Sequence, residues 1–295
     1  SHSVLKYGAL LPDMPLLKYN DGRLLPTQFN GALLTSSELK DLTFTAARLD
    51  GYTARDSSDR QDIRVHCKNK RYACNTTADH FDLYGVDYRV NERLSAQYQY
   101  AELEDIYRQH FIGLLGNQPL GVGRLKADLR LLSSSDSGAA RAGSIDNRAL
   151  SAMLGYTISG HTFSGGWQRM IGDNSMPYLD GSNPFLVNYV QVNDFAAAQE
   201  RSWQLRYDYD FKAIGINGLS FLTRYVNGDH IKVPGSDQEG KEWERDSELK
   251  YVIQTGTFKD VSLRLRNATY RTNYEKFARD VDETRLIVSY NFSVL

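Results

Sequence analysis

From residue 261 the chain reads Val-Ser-Leu-Arg-Leu-Arg, and from Arg285 to Leu295 it closes in the same two-residue rhythm. A period of two is the period of a strand, so Val261, Leu263 and Leu265 share one face while Arg264 and Arg266 share the other. Two further segments repeat the pattern over greater lengths. Between Ser202 and Phe211, Trp203, Leu205, Tyr207, Tyr209 and Phe211 oppose Gln204, Arg206, Asp208 and Asp210. Between Arg124 and Leu131, Leu125, Ala127, Leu129 and Leu131 oppose Arg124, Lys126, Asp128 and Arg130. Such a charged face is too rich for a core. In a soluble sandwich the apolar face would meet a second sheet. In a membrane barrel it meets lipid, and the charged face walls a water-filled lumen.

The same reading predicts strands near residues 3–10, 28–35, 42–50, 81–89, 93–102, 105–115, 148–157, 162–170, 219–227, 246–254, 261–271 and 284–294. With the two above, that makes about fourteen. The connections between them are of two kinds. Residues 91–92, 159–161, 212–218 and 255–260 are short. Residues 11–27, 51–80, 172–201 and 228–242 are long and rich in Gly, Pro, Asp, Asn and Ser. Tight turns at one end and long loops at the other describe an outer-membrane barrel, and a sandwich gives no reason for that sorting. Tyr98, Tyr100, Tyr107, Tyr156, Trp203, Tyr225, Trp243 and Tyr290 fall mainly toward strand ends, where an interfacial aromatic girdle lies.

Composition narrows the choice. Tyr (19), Phe (12) and Gly (23) are abundant beside 4 Met, which favours strands and turns. No apolar run of about 18 residues occurs, so no transmembrane helix is expected. The formal net charge of -1 argues against a nucleic-acid partner, which requires a basic excess. The two cysteines, Cys67 and Cys74, have a spacing that favours a small disulfide-closed loop in an oxidising compartment over two free thiols. His66 alone cannot complete a metal site, so neither a metal nor another cofactor is expected.

At this point the motifs themselves become informative. Tyr19-Asn-Asp-Gly-Arg-Leu-Leu-Pro26, Gln168-Arg-Met-Ile-Gly-Asp173, Asn188-Tyr-Val-Gln-Val-Asn-Asp-Phe195, Leu263-Arg-Leu-Arg-Asn267 and Arg285-Leu-Ile-Val-Ser-Tyr290 resemble, in this order, the OprD family of outer-membrane carboxylate channels. The resemblance spans the whole chain. It implies an all-β transmembrane antiparallel barrel of about eighteen strands, of which this chain holds about fourteen. About the first hundred residues of the family's length are expected to be missing, because an open sheet edge in lipid is not tolerable. Residues 1–295 then form one porin domain, with inward-folding loops near 11–27 and 172–201. The resemblance also implies a location in the outer membrane of a Gram-negative bacterium, with outer-membrane lipid and lipopolysaccharide as surroundings, and a monomer or weak homotrimer.

Family members resemble one another in passing small anionic solutes along a ladder of basic side chains. The positions matching that ladder are Lys250, Arg264, Arg266 and Arg285, all on the face that the alternation turns to the lumen. Ile287, on the same face, stands where some members carry a further arginine. Tyr19, Asn20, Asp21 and Arg23 match the constriction loop, stiffened by Pro12, Pro15 and Pro26. Asp194, Asp208 and Asp210, with Asp128 and Glu248, are expected on the opposing acidic side. These acids either narrow the path or neutralise the arginines. An outer-membrane hydrolase, a general porin, a plugged barrel and a soluble glycan-binding sandwich are the rival readings. No Gly-x-Ser-x-Gly or His-Glu-x-x-His motif supports an enzyme.

Overall fold

The structure, a computed structural model, describes residues 2–73, 75–274 and 278–290. Fourteen strands form its wall: β1 (Ser3–Leu10), β2 (Gln28–Ser36), β3 (Leu42–Thr53), β4 (Phe81–Asn91), β5 (Leu94–Leu103), β6 (Tyr107–Leu120), β7 (Gly123–Asp136), β8 (Asp146–Ile158), β9 (His161–Ile171), β10 (Arg201–Asp210), β11 (Leu219–Lys232), β12 (Glu239–Val252), β13 (Ser262–Thr272) and β14 (Val281–Ser289). Each pairs antiparallel with the next in sequence, and Arg60–Gln61 adds a short segment beside β3. The path runs from β1 to β14 without closing among the described residues. Leu5 and Tyr7 of the edge strand β1 are accordingly exposed.

Connections sort by end. Residues 37–41, 92–93, 121–122, 159–160, 211–218 and 253–261 form the turn end, and 11–27, 54–73, 75–80, 104–106, 137–145, 172–200, 233–238, 273–274 and 278–280 form the loop end. The tight β8–β9 hairpin turns on Ser159 and Gly160, both at positive φ (48° and 83°). That is the backbone of a type I′ turn, whose twist matches the strands it joins. The stretch 228–242, expected as a long loop from its Gly, Pro and Asp content, is mostly strand. A register shift between Gly228 and Ile231, with His230 at positive φ, lets β11 continue through it.

Alternation decides what each face meets. On β10 Leu205 is 62% exposed and Gln204 1%, so the apolar residue points out and the polar one in. Trp203 stands outward with Leu205, near Tyr225 and Trp243, at ring separations of 5.6 and 5.7 Å along the row. Tyr107 departs from the expected girdle. It starts β6 on an inward position and is buried.

The inward face toward the loop end is a protein core. Phe29, Leu49, Phe81, Leu83, Leu103 and Phe111 of the wall pack with Leu16, Leu17, Ile63, Val65, Leu179 and Leu186 of the loops. Each such fully buried side chain contributes about 1.5–3 kcal/mol. The segment 172–200 reaches this whole face: Gln109 of β6 donates to Pro177 O (3.1 Å), Gln204 of β10 to Val187 O (3.1 Å), and Gln191 to Glu283 of β14 (2.7 Å). One loop touching β6, β10 and β14 on the same face requires a sheet curved around it.

Candidate functional site

The inward residues of β12, β13 and β14 bring the expected ladder together on adjacent strands. Lys250 is register-paired with Arg264, Glu248 with Arg266, and Arg266 with Arg285. Arg264 Nε lies 3.5 Å from Glu248, Arg266 donates to the same carboxylate, and Arg285 donates to Glu283 at 2.6 Å. All three guanidinium groups are half-buried. Ile287 opposes Arg264 and leaves an apolar step beside it. Three arginines therefore share two carboxylates, and Lys250 adds a fourth cation that makes no ion pair among the described residues. Like charges on neighbouring strands repel, so the patch keeps a net appetite for an anion.

On the inward faces of β7 and β10, Arg130 and Arg206 each pair with an acid of their own strand, while Lys126 makes no ion pair among the described residues. Arg206 meets Asp208 at 2.6 Å and Arg130 meets Asp128 at 2.5 Å, each pair two residues apart on one strand. Arg130 also lies over the Phe185 ring, 3.7 Å from its centroid, so loop and wall meet there through a cation–π contact. Two cavities of about 700 Å³ open on the turn side. Lys126, Asp128, Arg206 and Asp208 line one, and Asp208, Asp210, Glu248 and Lys250 line the other. Asp210 sits at the turn end, where its side chain accepts from Lys212 N at 3.0 Å and caps the short helical turn Phe211–Ile214.

Asp194 is placed differently from the expectation. Its side chain is 1% exposed, so it cannot face a solute path. Arg71 grips it with two hydrogen bonds (2.7 and 3.0 Å) and the Tyr178 hydroxyl adds a third (2.9 Å). Burial alone would raise this carboxyl; the charges of Arg71 and Lys68 overcome that and hold it well below the usual carboxylate range. Burial followed by the Asp194 charge pushes the Tyr178 phenol up. A second node is Asp180, which accepts from Tyr52 (2.7 Å) and Arg64 (2.8 Å) and lies 2.8 Å from His66 Nδ1. There too burial opposes ionisation and is overcome, by His66, Tyr52 and Arg64.

The loop 11–27 leans on the same segment. Tyr19 forms an isolated bridge with Ser182, and Asn20 Oδ1 accepts from Gly22 N and Arg55, both at 2.8 Å. Asp21 and Arg23 are exposed, and Arg23 is within electrostatic range of Glu283 beside the ladder. Cys67 is held in a disulfide; its candidate partner Cys74 lies outside the described residues.

Sequence reasoning missed the acids of β12. Glu244 accepts from Val192 N (2.7 Å) and Asn193 N (2.8 Å), and Asp246 pairs with Arg224 at 2.7 Å. Glu242 accepts from Asn193, Tyr270 and Tyr274. All three acids are buried. Their signal was the alternation Glu242-x-Glu244-x-Asp246-x-Glu248, whose first member falls in the stretch 228–242 that reads as loop and whose second falls short of the expected strand 246–254.

An apolar exterior, a charged interior, short turns at one end and an inward-packed loop at the other define a transmembrane β-barrel channel of the outer membrane. The chain belongs to the OprD family: the family described as "outer membrane porin, OprD family" matches residues 1–294. The porin-like protein GalP of Pseudomonas putida is 36% identical over 297 residues, covering 100% of this chain and 70% of that protein. The crystal structure of Pseudomonas aeruginosa OccK10 (OpdN) is similar at a TM-score of 0.95 and 63% identity, covering 100% of this chain and 82% of that one. That of Pseudomonas aeruginosa OpdK with vanillate is similar at 0.93 and 41%, covering 98% and 75%. These relatives are channels rather than enzymes, and proteins of the Gram-negative outer membrane.

Proposed function

We propose that this porin passes small carboxylate-bearing solutes, amino acids or aromatic and other organic acids, along Lys250, Arg264, Arg266 and Arg285. The observation that carries the reading is the gathering of Lys250, Arg264, Arg266 and Arg285 at the turn-side inward positions of β12–β14, where only Glu248 and Glu283 offset them. A relative whose structure contains vanillate, itself a carboxylate, supports it.

A carboxylate entering the narrow lumen sheds part of its hydration, and the planar guanidinium forks supply donors in exchange. Inward positions recur about every 7 Å along a strand, so the anion steps between partners and no single deep well traps it. Glu248 and Glu283 hold the arginines extended and shallow each well. Tyr19, Asn20, Asp21 and Arg23 line the constriction upstream, and residues 1–295 work as one porin domain, as a monomer or weak homotrimer.

The test is proteoliposome swelling with a small carboxylate and a neutral sugar of equal size, repeated with Arg264→Gln and Arg266→Gln combined. Carboxylate influx should fall about tenfold, equivalent to ~1.4 kcal/mol, with sugar influx unchanged. Equal influx of both solutes through the unaltered protein would make it a general porin with structural arginines.

A further inference from the structure

Outside the lumen, one group of charges has no counterpart. Arg148 of β8, Arg169 of β9 and Arg201 of β10 point outward at the loop ends of three consecutive strands, and all three are exposed. Arg169 and Arg201 are directly register-paired. Arg148 opposes Ile171, one outward position further along from Arg169. Like charges facing each other across a ladder destabilise a sheet unless a counter-ion lies between them.

The protein itself supplies none. Among the described residues no ion pair or side-chain hydrogen bond reaches any of the three. Outward arginines elsewhere on the wall are served: Arg48 meets Asp82 at 3.0 Å, Arg108 donates to Ser135 at 3.0 Å, and Arg271 meets Asp282 at 2.7 Å. The acids closest to the cluster are otherwise engaged or out of range. Asp229, opposite Arg201, lies 2.5 Å from His230, and Asp173 is held by Lys232 at 2.9 Å. Asp146, two residues beyond Arg148 on the same face, makes no ion pair with it.

Depth identifies the missing anion. One outward position toward the turn end, Trp167 and Trp203 are paired across the same two strands and exposed, the placement of side chains at the edge of the hydrocarbon. The guanidinium groups thus stand about 7 Å above that edge, at headgroup level. They are on the long-loop side, which in outer-membrane barrels is the extracellular leaflet. We propose that Arg148, Arg169 and Arg201 form an exterior site for the phosphate groups of lipopolysaccharide. Three forked donors on one rigid surface suit bidentate capture of phosphate.

The probe is native mass spectrometry of the protein in neutral detergent micelles, titrated with bisphosphorylated lipid A, fully dephosphorylated lipid A and inorganic phosphate. The phosphorylated lipid should bind at least tenfold more tightly than the dephosphorylated one. Arg169→Gln combined with Arg201→Gln should erase that preference and leave single-channel conductance unchanged, because neither side chain enters the lumen. Equal binding of the two lipids by the unaltered protein overturns the proposal, and needs no variant to fold. Retention of the preference by the double variant overturns it as well. Competition by inorganic phosphate at lipid-like concentrations would assign the site to free phosphate and defeat the lipid reading.

Discussion

Strand β12 carries acids at every second position from Glu242 to Glu248, yet its two ends have opposite surroundings. Toward the loop end Glu242, Glu244 and Asp246 are buried, and their oxygens, Asp246 Oδ1 excepted, are spent on the amides and side chain of residues 191–193, two tyrosines and Arg224. Toward the turn end Glu248 and Lys250 face open space beside Arg264 and Arg266. The side-chain chemistry is the same; what differs is the element that lies across the lumen. Where the loop 172–200 lies, an acid is an anchor, and where water lies, it tunes a field. Buried groups fix shape and open groups act on solutes, so substitutions in the two halves should differ in kind.

The largest effect is expected at Asp194. Replacing it with Ala leaves the Arg71 guanidinium buried without its partner, which costs about 3–5 kcal/mol. The expected outcome is undocking of the 172–200 segment, read as new protease cleavage there and a larger, noisier single-channel current. The pH behaviour follows from the same geometry. A carboxyl held this far down contributes its full stability above the ordinary value of about 4, and loses it progressively as pH falls from there through the depressed value. Docking through Asp194 should therefore survive mild acid.

Glu200 should respond the other way. Its carboxyl is buried beside Glu242 and accepts from Ala197 N at 2.9 Å; burial first, and Glu242 second, push its pKa well above the usual range. A raised pKa contributes stability that is complete below the ordinary value and lost as pH rises through the elevated one. Alkaline solution should loosen the segment, and Glu200→Gln should remove that loosening while leaving the neutral-pH current intact. A variant that loosened at alkaline pH as the unaltered protein does would exonerate Glu200.

Glu244→Gln comes next. A glutamine oxygen can serve one of the amides of Val192 and Asn193, and the other is left unsatisfied at about 1–3 kcal/mol. Fraying confined to residues 190–194, measured by hydrogen exchange, is the expected result. Uniform destabilisation of the wall would show that the acid supports β12 itself rather than the loop.

The difference between the halves also explains what the sequence could reveal. Period two placed Arg264, Arg266 and Arg285 on the inward face, because alternation is a property of the strand alone. The same rule sorted Trp203 from Gln204. It could not find the partner of Asp194, since Arg71 lies in another loop and the two meet only through tertiary packing. A polar residue in a long loop looks alike whether it lines water or staples the loop shut. Residues 239–242 read as loop because composition outweighs alternation there, and the expected strand starts only at 246, so Glu242 and Glu244 fall outside it. Nor did spacing tell that Glu248 would sit between two ladder arginines, which depends on cross-strand register.

The smallest structural effect, and the sharpest test of the comparison, belongs to Asp208→Asn. Asp208 pairs with Arg206 at the edge of both turn-side cavities, with about a third of each side chain exposed. In such a setting the pair is worth about 0–1 kcal/mol, because water screens the attraction and competes for both partners. Thermal stability should scarcely move. The field should move more: removing the carboxylate leaves Arg206 uncompensated in the lumen, near the cavity that Lys250 also lines, and fixed charge in a narrow water-filled passage selects permeant ions. Reversal potentials in a salt gradient should therefore shift toward anion preference while conductance noise stays as before. If Asp208→Asn instead melts the protein as strongly as Asp194→Ala frees its loop, the turn-side charges are anchors too, and the two halves of the lumen do not divide the work.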